Sequence, residues 1–258
     1  IVLGLTLTLL FLLMVLFLPL PETRVPQSTQ VLDIKGRPVS SVFVEDRIVI
    51  SGQEMPEYLR KAVVAVEDMR FYSHHGFDPE AFARAVVRNI KARSFAEGGS
   101  TLTQQLAKNL FLTQEKTLTR KFVELAYAFK MEMRYSKDEI LTMYINQAYW
   151  GHGTWGCEVA SRTYFGKPAK DLTLSESALL AGLLRSPEYY SPYASMERAV
   201  SRRALVLDLM AEQGYITPDE AAAAKDDEVV LAGLPKSVAP YFVSYVIQQV
   251  RERHPAIA

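Results

Sequence analysis

Residues 1–20, IVLGLTLTLLFLLMVLFLPL, carry no charged side chain. At 1.5 Å of helical rise per residue, about 20 residues reach roughly 30 Å, the thickness of a bilayer's hydrocarbon core. A signal peptide's apolar core is shorter, about 7–15 residues, and is followed by a small-residue cleavage site that is missing here. Pro19 and Pro21 mark the exit of the run. The expectation is a transmembrane anchor over 1–20. The chain opens inside the apolar run without an initiator Met, so flanking sequence is expected before it, and without that flank the positive-inside rule cannot be applied.

The remaining length is enough for one large domain with a substantial core. Lys plus Arg number 29 and Asp plus Glu number 29, a balance that argues against a nucleic-acid binder, which normally has a basic excess. Cys157 is the sole cysteine, which excludes an intrachain disulfide and a four-cysteine zinc site. The balance conceals a gradient. Residues 84–137 hold 11 Lys/Arg against 4 Asp/Glu, whereas residues 204–258 hold 4 against 8. A basic middle beside a membrane anchor suits an anionic headgroup or a phosphate-bearing substrate; a solvated helix face is the plainer alternative.

Residues 21–55 form a linker with a short β segment. VLDI (31–34), a Lys35-Gly36-Arg37-Pro38 turn and the alternating runs VSSVFV and RIVI predict a hairpin or small meander. From Pro56 the pattern is helical. Asp78 precedes Pro79 and Glu80; Ser136–Glu139, Thr173–Glu176 and Thr217–Glu220 are capping boxes. The helix that Ser136 opens is expected to stop at Gly151, and Gly166 and Gly214 have the look of C-caps. Repeated helices without alternating strands predict a mainly α domain over 56–237. Residues 238–258 are a C-terminal helix or a connector.

Four stretches could carry chemistry. In VAVEDMRFYSHHGFDP (64–79), Glu67 and Asp68 end an apolar helix, where desolvation raises a carboxyl pKa and suits a general base. Pairing with Arg70 or capping of the next turn is the structural alternative. His74 and His75 are adjacent and point apart, and HExxH is absent, so a hydrogen-bonding role outweighs zinc ligation. In EGGSTLTQQLAKNLFL (97–112), Thr101, Gln105, Lys108 and Asn109 share a polar stripe beside a helix N-terminus that Ser100 or Thr101 can cap, a plausible anion cradle but not a Walker loop. In residues 116–140, Arg120 and Lys121 stand four and three residues before Glu124. That is either an ordinary helix ion pair or a carboxylate among phosphate-holding cations. The aromatic stretch 140–167, with Tyr144, Tyr149, Trp150, Trp155, Tyr164 and Phe165, could offer a sugar-stacking wall, with core packing as the default.

Taken together these motifs name a family. Glu67-Asp-x-x-Phe71-x-x-His74-x-Gly76, Gly99-Ser100-Thr101-x-Thr103-Gln104-Gln105-x-x-Lys108-Asn109 and Arg120-Lys121-x-x-Glu124 stand in order, followed by Ile140-Leu141-x-x-Tyr144-x-Asn146, Tyr149-x-Gly151-x-Gly153-x-x-Gly156 and Leu179-x-Ala181-Gly182-Leu183 with Pro187. This series, over roughly 56–215, resembles the peptidoglycan glycosyltransferases: the transglycosylase modules of class A penicillin-binding proteins and the monofunctional enzymes. The resemblance implies a lysozyme-like, two-lobed helical fold. The head lobe holds the cleft, the jaw lobe is partly immersed in the membrane, and a mobile stretch lies near 91–98. It also implies a single-pass protein of the bacterial inner membrane with its catalytic domain on the outer face.

The implied reaction joins lipid II to a growing glycan strand by inverting β-1,4 transfer, releasing undecaprenyl pyrophosphate. By analogy with inverting glycosidases, two carboxyls should stand about 6.5–9.5 Å or more apart. The resemblance makes Glu67 the general base and places Glu124 on the donor side. Lys108, Arg120, Lys121 and Lys116 would offset the developing pyrophosphate charge, Lys116 standing where Arg is common in the family. Ser100, Thr101, Gln105 and Asn109 would position sugar or phosphate, and Asp68, Phe71, His74, Gln104 and Asn146 are expected to complete the substrate site. A divalent cation, Mg²⁺ or Mn²⁺, is expected with the pyrophosphate although no dedicated cage is visible, and no organic cofactor is expected. Cell-wall synthesis proteins are expected partners and moenomycin-type compounds expected inhibitors. SxxK and KTG are absent, so no penicillin-reactive serine site is here, and residues 238–258 resemble the connector toward a transpeptidase domain. A membrane-bound hydrolase or lytic transglycosylase and a non-catalytic membrane-tethered scaffold are the competing readings.

Overall fold

Helix starts in this chain are fixed by side chains that accept the first free amides. In the computed structural model, which describes residues 6, 13–20, 29–32, 38–42, 46–92, 98–112, 117–234 and 249, ten α-helices follow one another from Glu57 to Asp226. They are α1 (Glu57–Glu67), α2 (Pro79–Ala92), α3 (Leu102–Phe111), α4 (Leu118–Arg134), α5 (Lys137–Gln147), α6 (Cys157–Phe165), α7 (Leu174–Leu183), α8 (Pro187–Tyr190), α9 (Met196–Glu212) and α10 (Pro218–Asp226). Asp78 accepts the amides of Glu80 and Ala81 at 2.9 and 3.1 Å, starting α2. Thr101 caps α3, and complete capping boxes at Ser136, Thr173 and Thr217 open α5, α7 and α10. These satisfy orphan N–H groups that would otherwise cost about 1 kcal/mol per lost cap.

The β segment differs in part from expectation. β1 (Thr29–Leu32) and β2 (Pro38–Val42) pair antiparallel, as the turn at 35–38 predicts. The third strand does not extend this meander. β3 (Asp46–Arg47) pairs in parallel with β5 (Thr154–Trp155), which itself pairs antiparallel with β4 (Tyr149–Gly151). α5 therefore ends at Gln147, four residues earlier than the sequence suggests, because Ala148 turns extended and Tyr149 enters a strand.

The core has a central helix. α7 buries Ser175, Ser177 and every residue from Ala178 to Leu183, so it is apolar all round, as a helix enclosed by others must be. α1 and α9 pack on it, and α10 on α9, while α3 packs on both α4 and α5. Gly182 leaves room for Arg202 of α9: a Cβ there would lie 3.0 Å from Arg202 Cγ. Arg203, 2 % exposed, closes the far side. Its guanidinium donates to Ser175 Oγ at 2.6 Å and to the carbonyls of Lys225 and Asp227 at 2.7 and 2.9 Å, capping the C-terminal end of α10. Arg203→Met keeps the volume but strands three acceptors; the expected loss is about 3 kcal/mol. Equilibrium urea unfolding checks this, and a loss below about 1 kcal/mol contradicts it.

Of the apolar leader, Thr6 and residues 13–17 are helical and 18–20 leave the helix. Val15 is buried, and Leu18 and Leu20 pack against the core. Lys130 of α4 donates to the Leu16 carbonyl at 3.2 Å and to the Leu18 carbonyl, occupying acceptors at the end of that helix. Among the described residues no helix is long and apolar enough to cross a membrane. The remainder of the expected span over 1–20, residues 93–97 within the 91–98 stretch, and all of 238–258 except Gln249 lie outside the described residues.

Candidate active site

α1 delivers Glu67 to its own C-terminal end, where the chain turns at Asp68 and runs into a 3₁₀ turn at Phe71–Ser73. Asp68 accepts His74 Nε2 at 3.0 Å and the Leu102 amide at 2.9 Å, so it fastens this turn to the N-terminus of α3. A second clamp runs through Gly76, whose carbonyl accepts Thr101 Oγ1 at 2.9 Å and Gln104 Nε2 at 3.0 Å. Gly76 has φ +83°, and a Cβ would lie 3.1 Å from the Ala128 backbone of α4, so only glycine fits. These two clamps place α3 against the end of α1.

The result is a cavity of about 610 Å³ with Glu67 and Asp68 on one wall and Lys108, Arg120, Lys121 and Glu124 on another. Ser100, Thr101 and Gln105 also line it. Glu67 Oε2 accepts Gln105 Nε2 at 3.0 Å. Burial pushes the Glu67 carboxyl above the ordinary carboxylate value, opposed first by the Gln105 hydrogen bond and then by Arg202 and Arg185. Glu124 is 2 % exposed, and its two oxygens are taken by Arg120 Nη1 at 2.9 Å and by Lys121 Nζ. Lys121 also donates to Ser100 Oγ at 2.8 Å and Gln104 Oε1 at 3.1 Å. Burial pulls the Lys108 ammonium below its usual value, while Glu124 favours its charged form and Arg120 and Lys121 disfavour it. Among the described residues, Arg120 Nε and Arg84 Nε are buried without a hydrogen-bond partner in a cavity that both residues line. Guanidinium donors left open in this way suit an anionic ligand with several acceptor oxygens.

Not every residue singled out from the sequence reaches the cavity. Phe71 is fully buried under Lys137, whose ammonium sits 4.4 Å from the ring centroid. His74 and Gln104 serve the two clamps, and neither lines the cavity. Asn146 bonds both backbone groups of Ile50 and the Thr142 carbonyl, far from the two glutamates in its bonding. In this structure these four positions support the frame and do not line the cavity. Asn109 is exposed on α3 and also absent from the lining, and Lys116 lies outside the described residues. Tyr144, Trp150 and Tyr164 are buried in the core, whereas Tyr149, Trp155 and Phe165 are partly exposed. Conversely, Arg185, Arg202, Arg84 and Arg88 line the cavity, though no motif drew attention to them. The only signal was the presence of arginines next to otherwise apolar helical runs.

Residues 35–211 match the family model described as Transglycosylase. The chain belongs to the transglycosylase family. The match covers more than half of the chain. Penicillin-binding protein 1F of Bacillus subtilis is 45 % identical over 225 residues, 87 % of this chain and 32 % of the relative. Penicillin-binding protein 1A of Aquifex aeolicus is 40 % identical over 268 residues, covering 100 % of this chain and 37 % of the relative. This transglycosylase chain thus spans about a third of the length of these curated relatives. The crystal structure of penicillin-binding protein 1A from Haemophilus influenzae superposes with a TM-score of 0.56 at 24 % identity, over 90 % of this chain and 25 % of that one, a likeness of fold. The transglycosylase family assignment goes with a chain that is mainly helical with small sheets.

Proposed function

We propose that this transglycosylase polymerises lipid II into glycan strands by inverting transfer, with Glu67 as general base. The observation that carries the proposal is one cavity holding both a desolvated carboxyl that accepts the Gln105 amide and a carboxylate bonded by two cations. Glu67 takes the proton of the acceptor sugar's 4-hydroxyl as that oxygen attacks the anomeric carbon of the donor. The bond to the α-linked pyrophosphate breaks, and its electron pair leaves with undecaprenyl pyrophosphate. Lys108, Arg120 and Lys121 meet the charge that accumulates on the leaving group, with Glu124 holding the last two in place.

A divalent cation does not find a ready cage: among the described residues no group of three His, Cys, Asp or Glu could hold one, and Glu124 is already occupied by its two cations. Here the cationic side chains carry the pyrophosphate charge, and no step is assigned to a metal. Moenomycin-type donor mimics would compete at this cluster, and cell-wall synthesis proteins are the natural partners of such an activity. Incubating the full chain with lipid II tests the proposal. Polymer with release of undecaprenyl pyrophosphate supports it; cleavage of finished strands instead would make the protein a hydrolase or lytic enzyme, and neither turnover nor lipid II binding would make it a scaffold.

A lipid-borne substrate asks for a membrane-facing surface, and α2 provides one. Phe82, Val86, Val87 and Ile90 recur at helical spacing and are 51, 40, 49 and 71 % exposed, while Ala85 is the one buried residue of the helix. We read this stripe, with the apolar leader, as the part that enters the outer face of the bacterial inner membrane. Ile90→Glu is expected to weaken binding to anionic vesicles about tenfold and to leave thermal stability within about 0.5 kcal/mol. Unchanged vesicle partitioning in a flotation assay would contradict the reading.

A further inference from the structure

The side-chain amide of Gln105 is held at both ends. Its Nε2 donates to Glu67 Oε2 at 3.0 Å, and its Oε1 accepts the Tyr144 hydroxyl at 3.2 Å. The three side chains come from three helices, α1, α3 and α5, and Tyr144 is 3 % exposed. A primary amide offers donors at one end and an acceptor at the other, so which end faces a carboxylate depends on what occupies the opposite end. With the phenol proton on Oε1, only the nitrogen is left for Glu67. Turned over, the amide would set its oxygen against the carboxylate, two acceptors in contact.

We propose that Tyr144 is a positioning residue for the base: it fixes the Gln105 amide with its nitrogen toward Glu67, so that the site is built around the ionised form. The inference rests on the reading of Glu67 as the base. It identifies a residue that acts through another and need not touch the substrate.

The surroundings make this amide decisive. Other charged groups around Glu67 come from each neighbouring element: Lys108 on α3, Arg202 and Glu212 on α9, Arg185 after α7, and Asp68, Arg70 and Asp78 after α1, with Arg84 and Arg88 on α2. Among the influences that lower the Glu67 pKa, the Gln105 hydrogen bond exceeds Arg202 and Arg185, and it opposes desolvation directly. Weakening the hold on the amide therefore raises the pKa of the base, and the rate is lost first on the acid side, where the base becomes protonated.

The test is the pH–rate profile of lipid II polymerisation by the full chain. In Tyr144→Phe the acid limb is expected at higher pH, about tenfold slower at a pH on that limb but within about twofold of the parent on the plateau. Gln105→Leu should shift the limb likewise, and the double variant should shift it no further than Gln105→Leu alone. 3-Fluorotyrosine at position 144 keeps the shape and strengthens the donor, so it should move the limb to lower pH; this holds the proposal testable if Tyr144→Phe does not fold. An equal loss at every pH in Tyr144→Phe, or no shift with fluorotyrosine, overturns the proposal. A readout without turnover separates it from the functional reading. The Gln105 side-chain ¹H–¹⁵N resonances, assigned by their loss in Gln105→Leu, should titrate with Glu67 in the parent and change that response in Tyr144→Phe. If the parent makes no polymer, the functional reading fails while these resonances still support or overturn the placement of the amide.

Discussion

Glu67→Gln is expected to cut polymerisation by about 10²- to 10⁴-fold, the share a positioned general base supplies, and to leave lipid II binding intact. The side chain keeps its shape, and an amide oxygen at position 67 can still accept Gln105 Nε2, so the cavity wall survives. What disappears is the capacity to take a proton. A second outcome separates this from simple damage. Burial raises the Glu67 carboxyl above its ordinary 4.5, so between that value and the raised one the folded chain holds more protons than the unfolded chain. Stability contributed by this group therefore falls as pH rises through that window, and the deficit persists above it. Gln has no such deficit. The variant should melt higher than the parent at neutral pH, and the difference should vanish as pH falls to 4.5 and below, the pattern of a site that trades stability for chemistry. Near-parental polymer yield would remove Glu67 from the mechanism.

Glu124→Gln should be the most damaging change on the opposite wall. Both Glu124 oxygens are engaged by cations, and Lys108, Arg120 and Lys121 crowd the same space. Without the carboxylate these three positive groups face one another with nothing between them. The expected stability loss is about 2 kcal/mol, below that of a fully buried broken pair because the Lys121 side chain is 45 % exposed. The loss of activity should be about 100-fold and should depend on pH. Glu124 is the main charge favouring protonated Lys108, whose pKa burial already lowers. Removing it lowers that pKa further, so the alkaline limb of the rate profile should move to lower pH. An alkaline limb identical to the parent's would mean that Lys108 does not carry charge for the reaction.

Legibility in the sequence tracked the range of the forces involved. The caps at Asp78, Thr101, Ser136, Thr173 and Thr217 are interactions within two or three residues, and each appears where the local pattern puts it. The pairing of Asp46–Arg47 with Thr154–Trp155 joins segments over a hundred residues apart, and no local alternation encodes it. The motifs brought Glu67, Gln105, Lys108, Arg120, Lys121 and Glu124 to one cavity because each sits at a helix end or on a stripe whose direction the helix fixes. Asp68 and His74 look equally chemical in the sequence. Only the fold reveals that the Leu102 amide, from a distant helix start, is what Asp68 satisfies. Arg185 and Arg202 were hidden for the opposite reason: an arginine near an apolar helix is common, and only the packing of distant helices brings these two to the cavity.

The contact between Lys130 and the carbonyls of Leu16 and Leu18 also has a mechanical side. Lys130 and Arg120 stand on one uninterrupted helix, ten residues apart, which is roughly 15 Å of rise. α4 is thus a rigid ruler whose one end grips the apolar leader and whose other end carries two of the cavity's cations, Arg120 and Lys121. Its length sets how far the cations stand from the leader, and that distance can change only in helical steps, about 5.4 Å for each added turn. The span between foothold and workplace is measured out in residues.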